Sequence, residues 1–356
     1  MTRPIQALID LAALRHNHAI AKRHAGKARM WSVIKANGYG HGALRVARGL
    51  ADVADGFALL ELDMAIALRA QGIRQPLLLL EGFYNADELQ AFEQYCLIPV
   101  VHGLDQANAL ARSGFSLPVY LKLNTGMNRL GLDAGELAAA LDLLRSSNDI
   151  TLMTHFSDAD EPLGIDEQTQ RLDQMRTIYA GLDYPLSLAN SAALLRFPQA
   201  LGDWARPGIM LYGTSPFPQM KSAAEIGLRP VMTLTSNLIA VRNLEPGDRV
   251  GYGGTFVAER ATTIGVVACG YGDGYPRHAP TGTPIMVNGR RTHTVGRVSM
   301  DKICVDLTDI TDAGVGSPVT LWGEGLSADD VATSAGTVSY ELFCALSARV
   351  PVVERA

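Results

Sequence analysis

The stretch Trp31-Ser-Val-Ile-Lys-Ala-Asn-Gly-Tyr-Gly-His41 decides how the rest of the chain is interpreted. The residues from Trp31 to Ile34 are mostly bulky or β-branched, which favours a buried strand. Lys35 stands where that strand ends, and the glycines behind it supply a permissive loop. A lysine at the end of a buried strand is costly unless it is paired or used covalently. Lys35 is therefore a candidate Schiff-base lysine, and the ordinary alternative is a solvated surface lysine.

The composition of the 356-residue chain, 47% hydrophobic and 19% charged, is that of an ordinary soluble protein long enough for two domains. The net charge of −5 argues against a nucleic-acid partner. No apolar run reaches the roughly 18 residues that a membrane span requires, and the first ten residues lack the apolar core of a signal peptide. We expect a cytoplasmic protein with neither a membrane nor a nucleic acid as partner.

The sequence offers little support for a disulfide framework or a metal site. The cysteines lie far apart without a CxxC pair, at Cys96, Cys269, Cys304 and Cys344. We expect them to be reduced and buried as small hydrophobic side chains. His155 has Asp158 and Asp160 nearby, but the predicted strand ends carry no His-x-His pair and no clustered carboxylates. We therefore predict no metal.

Short apolar runs alternate with helical stretches over the first two thirds of the chain. The predicted strands are Met30–Ile34, Gly56–Leu60, Leu77–Leu80, Ile98–Val101, Val119–Leu123, Thr151–Thr154, Leu186–Leu188 and Trp204–Ala205. The predicted helices are Ala43–Ala51, Leu62–Gln71, Ala86–Glu93, Leu104–Ser113, Ala134–Ser146 and Gln168–Gly181. This alternation indicates a parallel β/α barrel. An open doubly wound sheet is the competitor, but the glycines after Lys35 have the wrong spacing for it and Glu61 is a weak match to its acidic residue.

The pattern of the sequence changes after about residue 228, where runs typical of β-strands follow one another at short intervals. They are Val231–Ala240, Thr263–Cys269, Pro284–Val287, Arg291–Val295, Ile303–Asp306 and Pro318–Trp322. Asn288-Gly289 predicts a tight hairpin because both residues tolerate positive φ. Two short helices are expected, one beginning near Ser327 and one over Tyr340–Leu346. We predict an α/β fold in which a TIM-type (β/α)8 barrel, residues 1–228, precedes a mostly β domain, residues 229–356.

Polar side chains at the carboxyl ends of barrel strands form the active site in this architecture. That rule brings together Lys35, His102, Lys122, Asn124, Arg129, His155, Asn190, Ser191, Arg206 and Gly208. Taken singly, His155 could be a core histidine, Asn190 a helix cap and Arg206 a structural residue. Ser191 and the amides after the last strand would lie where barrels bind phosphate. A Schiff-base lysine beside a phosphate cradle indicates pyridoxal 5′-phosphate (PLP).

The motifs that carry these residues resemble those of the alanine racemase family. Val33-Ile-Lys-Ala-Asn-Gly-Tyr-Gly-His-Gly42 is similar to the family's cofactor-attachment motif, and Gly270-Tyr-Gly-Asp-Gly-Tyr-Pro-Arg277 to its second-base motif. The other matching motifs are Lys122–Gly131, Thr154–Ser157, Asn190-Ser191, Arg206–Gly213, Val295–Asp301 and Val338–Glu341. They follow the family's order along the whole chain. Their sequences are most similar to those of the catabolic, proteobacterial type of alanine racemase.

The resemblance implies a PLP-dependent isomerase that interconverts L-alanine and D-alanine, for cell-wall synthesis or alanine catabolism. It also implies a homodimer in which each active site combines one subunit's barrel with the other's β domain. Lys35 and Tyr271 correspond to the two catalytic bases. The implied cofactor contacts are Lys35, Tyr39, His155, Asn190, Ser191, Arg206, Gly208, Ile209 and Tyr340. Arg129 and Met300 match the substrate-carboxylate region, and Lys122 matches a lysine that is carbamylated in many members.

Three departures from the family's motifs are visible. Gly38 and Gly272 stand where the motifs usually have Ala, so we expect slightly looser loops. Asn124 replaces an Asp, which alters the expected charge balance around Lys122. Two other functions compete with the racemase. A non-catalytic PLP carrier would lack the β domain and hence Tyr271, and a racemase of another amino acid or a decarboxylase would need a roomier or differently charged pocket.

Overall fold

A short strand, β1 (Gln6–Ile9), and a helix over Leu11–Ala25 precede the barrel in the structure, a computed structural model that describes residues 3–177 and 183–355. The barrel strands are β2 (Arg29–Val33), β3 (Gly56–Leu59), β4 (Leu77–Leu79), β5 (Leu97–Val101), β6 (Val119–Lys122), β7 (Ile150–Met153), β8 (Leu186–Asn190) and β9 (Trp204–Arg206). Each strand pairs in parallel with the next, and β9 pairs with β2 to close the ring. The predicted barrel is confirmed strand by strand.

Six of the helices that link these strands follow the prediction, and a seventh, Ser191–Arg196, was not predicted. They are Ala43–Leu50, Leu62–Ala70, Leu89–Gln94 after a 3-10 turn at Ala86–Glu88, Leu104–Ser113, Ala134–Leu144, Asp166–Arg176 and Ser191–Arg196. The helix predicted over Gln168–Gly181 is present up to Arg176, and its last residues, from 178, lie outside the described ranges. One clear start signal is a capping box, in which Asp133 and Glu136 each accept the other's backbone N–H.

Trp31 shows why the opening stretch forms a buried strand. Its indole stacks on Trp204 at 4.4 Å between ring centroids and donates from Nε1 to the Tyr120 hydroxyl at 3.0 Å. Gly56, on the neighbouring strand, leaves room for this ring, because a Cβ there would lie 2.4 Å from it. Protein interiors are packed about as densely as organic crystals, so the Trp31 ring fits here only because residue 56 has no side chain. The bulky residues of the stretch therefore belong to the barrel's core.

The second part of the chain is mostly β. Its strands are β10 (Met232–Leu244), β11 (Arg249–Val250), β12 (Phe256–Val257), β13 (Thr262–Val267), β14 (Pro284–Val287), β15 (Arg290–His293), β16 (Ile303–Asp306), β17 (Pro318–Trp322) and β18 (Val352–Glu354). Its helices are Ala223–Ile226, Ala328–Ala335 and Ser339–Cys344. The main sheet has the order β15-β14-β17-β10-β1-β18, and β13 joins β10 to β16. The expected mostly β domain is confirmed.

The strand β1, which the sequence did not reveal, belongs to this second sheet. It pairs antiparallel with β10 and parallel with β18. The chain divides into a barrel unit, formed by the described residues of Asn17–Gly38 and Gly42–Leu211, and a β unit. The β unit comprises the described residues of Met1–His16, Tyr39–His41 and Tyr212–Ala356. The N-terminal segment therefore groups with the sheet, whereas the sequence assigned it to the barrel.

Several local predictions can be compared directly with the structure. Asn288 and Gly289 connect β14 to β15 with φ values of 50° and 74°, as expected for the hairpin. Cys269 is buried, but Cys96 and Cys344 are exposed, so the expectation of burial was wrong for those two cysteines. None of the helices within 3–177 and 183–355 combines the length and the apolarity needed to cross a bilayer.

Candidate active site

Lys35 lies directly after β2, at the barrel end where the carboxyl ends of the strands meet. The four residues from Ala36 to Tyr39 all have left-handed backbone, with φ between 50° and 63°. The sequence predicted a permissive loop because of its glycines, yet three of these four residues carry side chains. Left-handed backbone costs Ala36 and Tyr39 roughly 1–2 kcal/mol each, whereas asparagine adopts it more readily. Strain of this kind persists only where the surroundings enforce it, and it clusters at functional sites.

Asn37 shows how the strained turn is held. Its backbone oxygen accepts from Gly42 N at 2.8 Å, and its side-chain Oδ1 accepts from Ala43 N at 3.0 Å. The second bond satisfies an N–H at the start of the helix Ala43–Leu50. The turn after Lys35 is therefore tied to an adjacent helix, which fixes where the lysine leaves the barrel.

The barrel end concentrates positive charge. Lys122 ends β6, and burial together with the charges of Arg206, Arg129 and Lys35 lowers the pKa of Lys122 to about 8. Burial and the nearby Lys122 also lower the pKa of His102, at the end of β5. Crowded cations raise the local concentration of anions and favour an anionic ligand.

Arg206, the last residue of β9, is 5% exposed. Its Nη1 donates to Ser187 Oγ at 2.7 Å, and its Nη2 donates to the carbonyl oxygens of Thr154 at 2.5 Å and Leu188 at 3.2 Å. Burial lowers the pKa of Arg206 to about 10, so the guanidinium stays charged at neutral pH. These acceptors are all neutral, so a bound anion would offset a charge that is otherwise costly to bury.

His155 follows β7 and lies beside Arg206. Arg206 Nη2 approaches His155 Nδ1 to 3.5 Å. Burial, with the charges of Arg206 and Lys122, lowers the pKa of His155 well below its ordinary value. The imidazole is therefore neutral at neutral pH, and Nδ1 is free to accept from the guanidinium when the proton is on Nε2.

Ser191 and Gly208 meet where the last two barrel strands end. Gly208 N donates to Ser191 Oγ at 2.8 Å, and Ile209 begins a 3-10 turn directly after it. This bond joins the helix after β8 to the turn after β9. The predicted phosphate contacts Ser191, Gly208 and Ile209 therefore lie together.

Asn190 uses its side chain for structure. Its Oδ1 accepts from Ala193 N at 2.9 Å, which caps the helix Ser191–Arg196, and its Nδ2 donates to Phe156 O at 3.2 Å. The helix cap was the alternative that the sequence left open. Asn190 thus orients the start of the helix that carries Ser191, and its own contact with a cofactor stays a prediction.

The loop after β6 carries Arg129. Within it, Asn124 Oδ1 accepts from Gly126 N at 3.1 Å and Asn128 N at 3.0 Å, while Asn124 Nδ2 donates to Asn128 Oδ1 at 3.0 Å. The last bond requires an amide, because a carboxylate cannot donate. Asn124 therefore shapes this loop, and Lys122, Arg129 and His155 line one small pocket beside it.

In the β unit, two predicted phosphate contacts share an aromatic cluster. The Tyr39 ring stacks on Tyr212 at 4.7 Å and lies 6.0 Å from the Tyr340 ring, between centroids. Burial raises the pKa of Tyr39 above its ordinary value, so its hydroxyl remains a hydrogen-bond donor. Gly40, at φ 75°, permits this packing because a Cβ there would lie 2.0 Å from Phe343 O.

Tyr271 lies on a 3-10 turn, Tyr271–Asp273, that adjoins the loop of Met300. Tyr271 N donates to Ser299 O at 3.1 Å, and Gly272 N donates to Met300 O at 2.9 Å. The Tyr271 side chain is partly exposed, and that of Met300 is exposed. These two predicted site residues, about 30 positions apart in sequence, are thus held on neighbouring loops by main-chain hydrogen bonds.

Comparison with known proteins agrees with this geometry. The family model described as alanine racemase, N-terminal domain, matches residues 9–216, and the model described as alanine racemase, C-terminal domain, matches residues 231–354. The chain belongs to the alanine racemase family.

Similar proteins cover the full chain. An alanine racemase of Nitrosomonas eutropha is 55% identical over 360 residues, covering 99% of each chain, and a catabolic alanine racemase of Klebsiella aerogenes is 53% identical over 358 residues, again covering 99% of each. The crystal structure of the biosynthetic alanine racemase from Pseudomonas aeruginosa superposes with a TM-score of 0.95 at 47% identity, covering 100% of each chain. As a member of this family, the chain is an isomerase that acts on alanine.

Alanine racemase motifs did not reveal every residue that organises the Tyr271 turn. The buried carboxylate of Asp273 accepts from Arg3 and Arg349, residues that lie at opposite ends of the chain. The one sequence signal was the aspartate inside the motif Gly270–Gly274, since an acidic residue among glycines in a buried turn requires partners. Its partners were not predictable from that motif.

Proposed function

We propose that this chain racemises alanine with PLP, and that Lys35 and Tyr271 move protons on opposite faces of the substrate α-carbon. The observation that carries the proposal is the barrel end, where Lys35 precedes a strained turn and the buried cation Arg206 is bonded to neutral acceptors. That combination fits a covalent, anionic cofactor.

The residues of the barrel end fit PLP by charge and by donor type. Lys35 would hold the aldehyde carbon covalently, and Arg206 would face the pyridine nitrogen. The phosphate would be held by Ser191 and by the backbone amides of Gly208 and Ile209. The hydroxyls of Tyr39 and Tyr340, in the β unit, would be further donors to a phosphate. A phosphate would offset the crowded positive charge that lowers the pKa of Lys122 to about 8.

When bound, PLP supplies an electron sink for the negative charge that develops at the substrate α-carbon. Arg206 would limit the strength of that sink. Since its guanidinium stays charged at neutral pH, it opposes a second positive charge on the facing ring nitrogen. The negative charge at the α-carbon is then short-lived, which favours return of a proton over side reactions such as transamination.

Racemisation requires one group to remove the α-proton and another to return a proton to the opposite face. The Lys35 amine would serve one face and the Tyr271 phenol the other. An ordinary tyrosine has a pKa near 10, so forming its phenolate at pH 7 costs roughly 4 kcal/mol. We propose that His155 and Arg206 reduce this cost in the assembled site. The neutral imidazole and the fixed guanidinium are suited to hydrogen bonding and to charge stabilisation respectively.

Arg129 and the backbone of Met300 would bind the substrate carboxylate, and Lys122 would be carbamylated. With its pKa lowered to about 8, roughly a tenth of Lys122 is free amine at neutral pH, and only the amine attacks CO2. The ammonium first loses a proton to give the amine. The amine then forms an N–C bond to CO2 and loses a second proton, so the side chain changes overall from cation to anion. The repulsion between Lys122 and Arg129 then becomes an attraction that orients the guanidinium.

We further propose a homodimer whose sites take Tyr271 from the partner subunit. The support is the family resemblance and the position of Tyr271 in the β unit, far along the chain from Lys35. Mixing a Lys35→Ala protein with a Tyr271→Phe protein tests this. A mixed dimer would contain one site with both lesions and one intact site, so activity should return in part. Continued inactivity after proven subunit exchange would refute the shared site.

The decisive test of the function is direct. Purified protein loaded with PLP should be yellow and should convert L-alanine to D-alanine, and D-alanine to L-alanine, as read by chiral chromatography. L-serine and L-lysine in parallel reactions serve as alternative substrates. Bound PLP without any racemisation would favour the carrier function, and faster turnover of L-serine or L-lysine would assign a different substrate.

A further inference from the structure

Ser187, on β8, uses its hydroxyl to connect two residues of the neighbouring strand β9. The residue is fully buried. Its hydroxyl donates to the carbonyl oxygen of Trp204 at 3.1 Å, and Arg206 Nη1 donates to its Oγ at 2.7 Å. A serine hydroxyl has a single proton, so the bond to Trp204 leaves only lone pairs to face the guanidinium. Ser187 is therefore an acceptor of fixed direction for Arg206.

The groups that contact Arg206 within the described ranges give it hydrogen bonds without a compensating negative charge. Its other two acceptors are the carbonyl oxygens of Thr154 and Leu188, and the neighbouring His155 is neutral at neutral pH. Ionisation of Tyr120 would act on Arg206, but burial raises the pKa of Tyr120 to about 12, so its hydroxyl stays protonated. The guanidinium therefore keeps its full charge for a group that binds beside it.

We propose that Ser187 is a positioning residue that fixes the Arg206 guanidinium and, because it is neutral, leaves the charge of Arg206 undiminished toward the pyridine nitrogen of PLP. In this role Ser187 touches neither the cofactor nor the substrate. The inference deepens the proposed function and rests on Arg206 as the residue that faces that nitrogen. It makes Ser187 a determinant of reaction type, since the charge of Arg206 limits the electron sink and favours racemisation over transamination.

Transamination gives this inference a readout that is separate from racemisation. In that side reaction alanine and PLP become pyruvate and pyridoxamine phosphate, because the amino group of one and the carbonyl oxygen of the other exchange places. Each event releases one pyruvate and removes the yellow colour of the cofactor. Racemisation releases no pyruvate and leaves the cofactor as it was. The pyruvate formed per racemisation event therefore measures the strength of the electron sink.

Ser187→Asp tests the importance of a neutral partner. A carboxylate at this position would pair with Arg206 and offset its charge. The pKa of the facing ring nitrogen should then rise by roughly one unit, which increases its protonated fraction about tenfold. In PLP that is isotope-labelled at the ring nitrogen, the nitrogen resonance should move toward that of a pyridinium. The pyruvate released per racemisation event should rise about tenfold with it.

Ser187→Ala tests the positioning itself, because it removes the acceptor without adding charge. The guanidinium keeps its two backbone acceptors but is less firmly held, so kcat should fall about tenfold while KM changes little. The nitrogen resonance and the pyruvate ratio should move as in Ser187→Asp, but by less. Ser187→Thr keeps a hydroxyl and should restore the parent values.

Ser236→Ala is the matched control. Ser236 is also buried, and its hydroxyl donates to the carbonyl oxygen of Ala268 at 3.0 Å, so its replacement removes the same kind of bond. It lies on β10, in the β unit, and should leave kcat, the nitrogen resonance and the pyruvate ratio at the parent values.

Two results would overturn the inference. One is a Ser187→Ala protein that behaves as Ser236→Ala in all three measurements. The other is a loss of activity in the Ser187 variants with no movement of the nitrogen resonance or the pyruvate ratio, since the hydroxyl then serves folding alone. If Ser187→Asp does not fold, Ser187→Ala and its restoration by Ser187→Thr decide the matter.

A failure of the proposed function is read from the parent protein alone. A parent that binds PLP without racemising alanine would remove the function and this inference together. A protonated ring nitrogen in an active parent would remove the role of Arg206 and, with it, that of Ser187. If the parent is active with an unprotonated ring nitrogen and Ser187→Ala is normal, only the role of Ser187 falls.

Discussion

The barrel end and the Tyr271 turn are organised by opposite electrostatics. At the barrel end, positive charges are crowded together, and the pKa values of Lys122, His155 and Arg206 all lie below their ordinary values. Around the Tyr271 turn, two arginines alternate with two aspartates, the pKa of Asp273 is lowered and that of Arg349 is raised by its bond to Asp301. The charged groups of the barrel end repel one another, whereas those around the Tyr271 turn attract one another.

The difference indicates what each region needs in order to work. Holding several cations close together lowers the stability of the folded barrel end, and binding of an anionic ligand restores it. A balanced ion-pair network is satisfied by its own members and keeps its geometry without a ligand. We therefore expect the barrel end to respond strongly to cofactor and to CO2, whereas the Tyr271 turn should respond mainly to changes in shape.

The largest effect is expected at Lys35. Lys35→Ala removes both the covalent attachment and one base, so racemisation should fall at least about 1000-fold, a barrier increase of roughly 4 kcal/mol. Borohydride reduction of the parent should fix PLP to a peptide that contains Lys35, as read by mass spectrometry. The exposed Lys27→Ala is the control. PLP attached to another lysine would show that Lys35 is not the cofactor-binding residue and that the barrel end is not where the cofactor is held.

The next effect is expected at Tyr271. Tyr271→Phe removes the phenol but keeps the ring, so cofactor colour and folding should survive while activity falls roughly 10²- to 10⁴-fold in both directions. Tyr95→Phe is the control and should behave as the parent, because Tyr95 precedes β5 and therefore lies at the barrel end opposite Lys35. If Tyr271→Phe keeps more than about a tenth of the activity, a loss under about 1.4 kcal/mol, Tyr271 is not an essential base.

Lys122 gives a smaller effect and a characteristic pH dependence. Lys122→Met should reduce kcat/KM about tenfold, because Arg129 loses the carbamate that is proposed to orient it. In CO2-free buffer the folded Lys122 releases its proton near pH 8, whereas the unfolded lysine holds it to about pH 10.4. The parent binds fewer protons when folded, so its stability should rise relative to the variant between these pH values.

Bicarbonate tests the carbamylation of Lys122 directly. Labelled bicarbonate should give a carbamate carbon signal in the parent and raise its melting temperature, while the Lys122→Met variant shows neither change. A bound chloride beside an unmodified Lys122 would replace the carbamate with a simpler source of negative charge. The barrel end would then still require an anion, as its crowded cations predict.

The smallest effect is expected at Asn124. Asn124→Asp keeps both bonds from the backbone N–H groups of the loop but loses the one donated to Asn128, so stability should fall by about 0.5 kcal/mol with KM unchanged. Asn108→Asp, which also loses one amide donor, is the control for thermal unfolding. A KM shift beyond about threefold would show that position 124 sets the charge around Arg129 after all.

Local patterns along the chain were enough to predict the barrel strands, six of the helices between them, the Asn288-Gly289 hairpin and the place of Lys35 at a strand end. Each depends on local periodicity or on turn chemistry, which neighbouring residues encode completely. The resemblance of ordered motifs then supplied the candidate residues of both regions. It could not show that Asn190 is a helix cap or that Asn124 shapes its own loop, because those assignments depend on hydrogen-bond partners.

The remaining features depend on contacts between residues that are far apart in the chain. β1 joins the second sheet because it pairs with β10 and β18, which lie more than 200 residues away in the chain. The four residues of β1 do not by themselves indicate which strands they pair with. The side chains of Ala36 and Tyr39 do not predict left-handed backbone, which surrounding contacts must enforce. The Asp273 cluster draws Arg3 from one end of the chain and Arg349 from the other. Charges find their partners through space, so their pairing became visible only when the chain was folded.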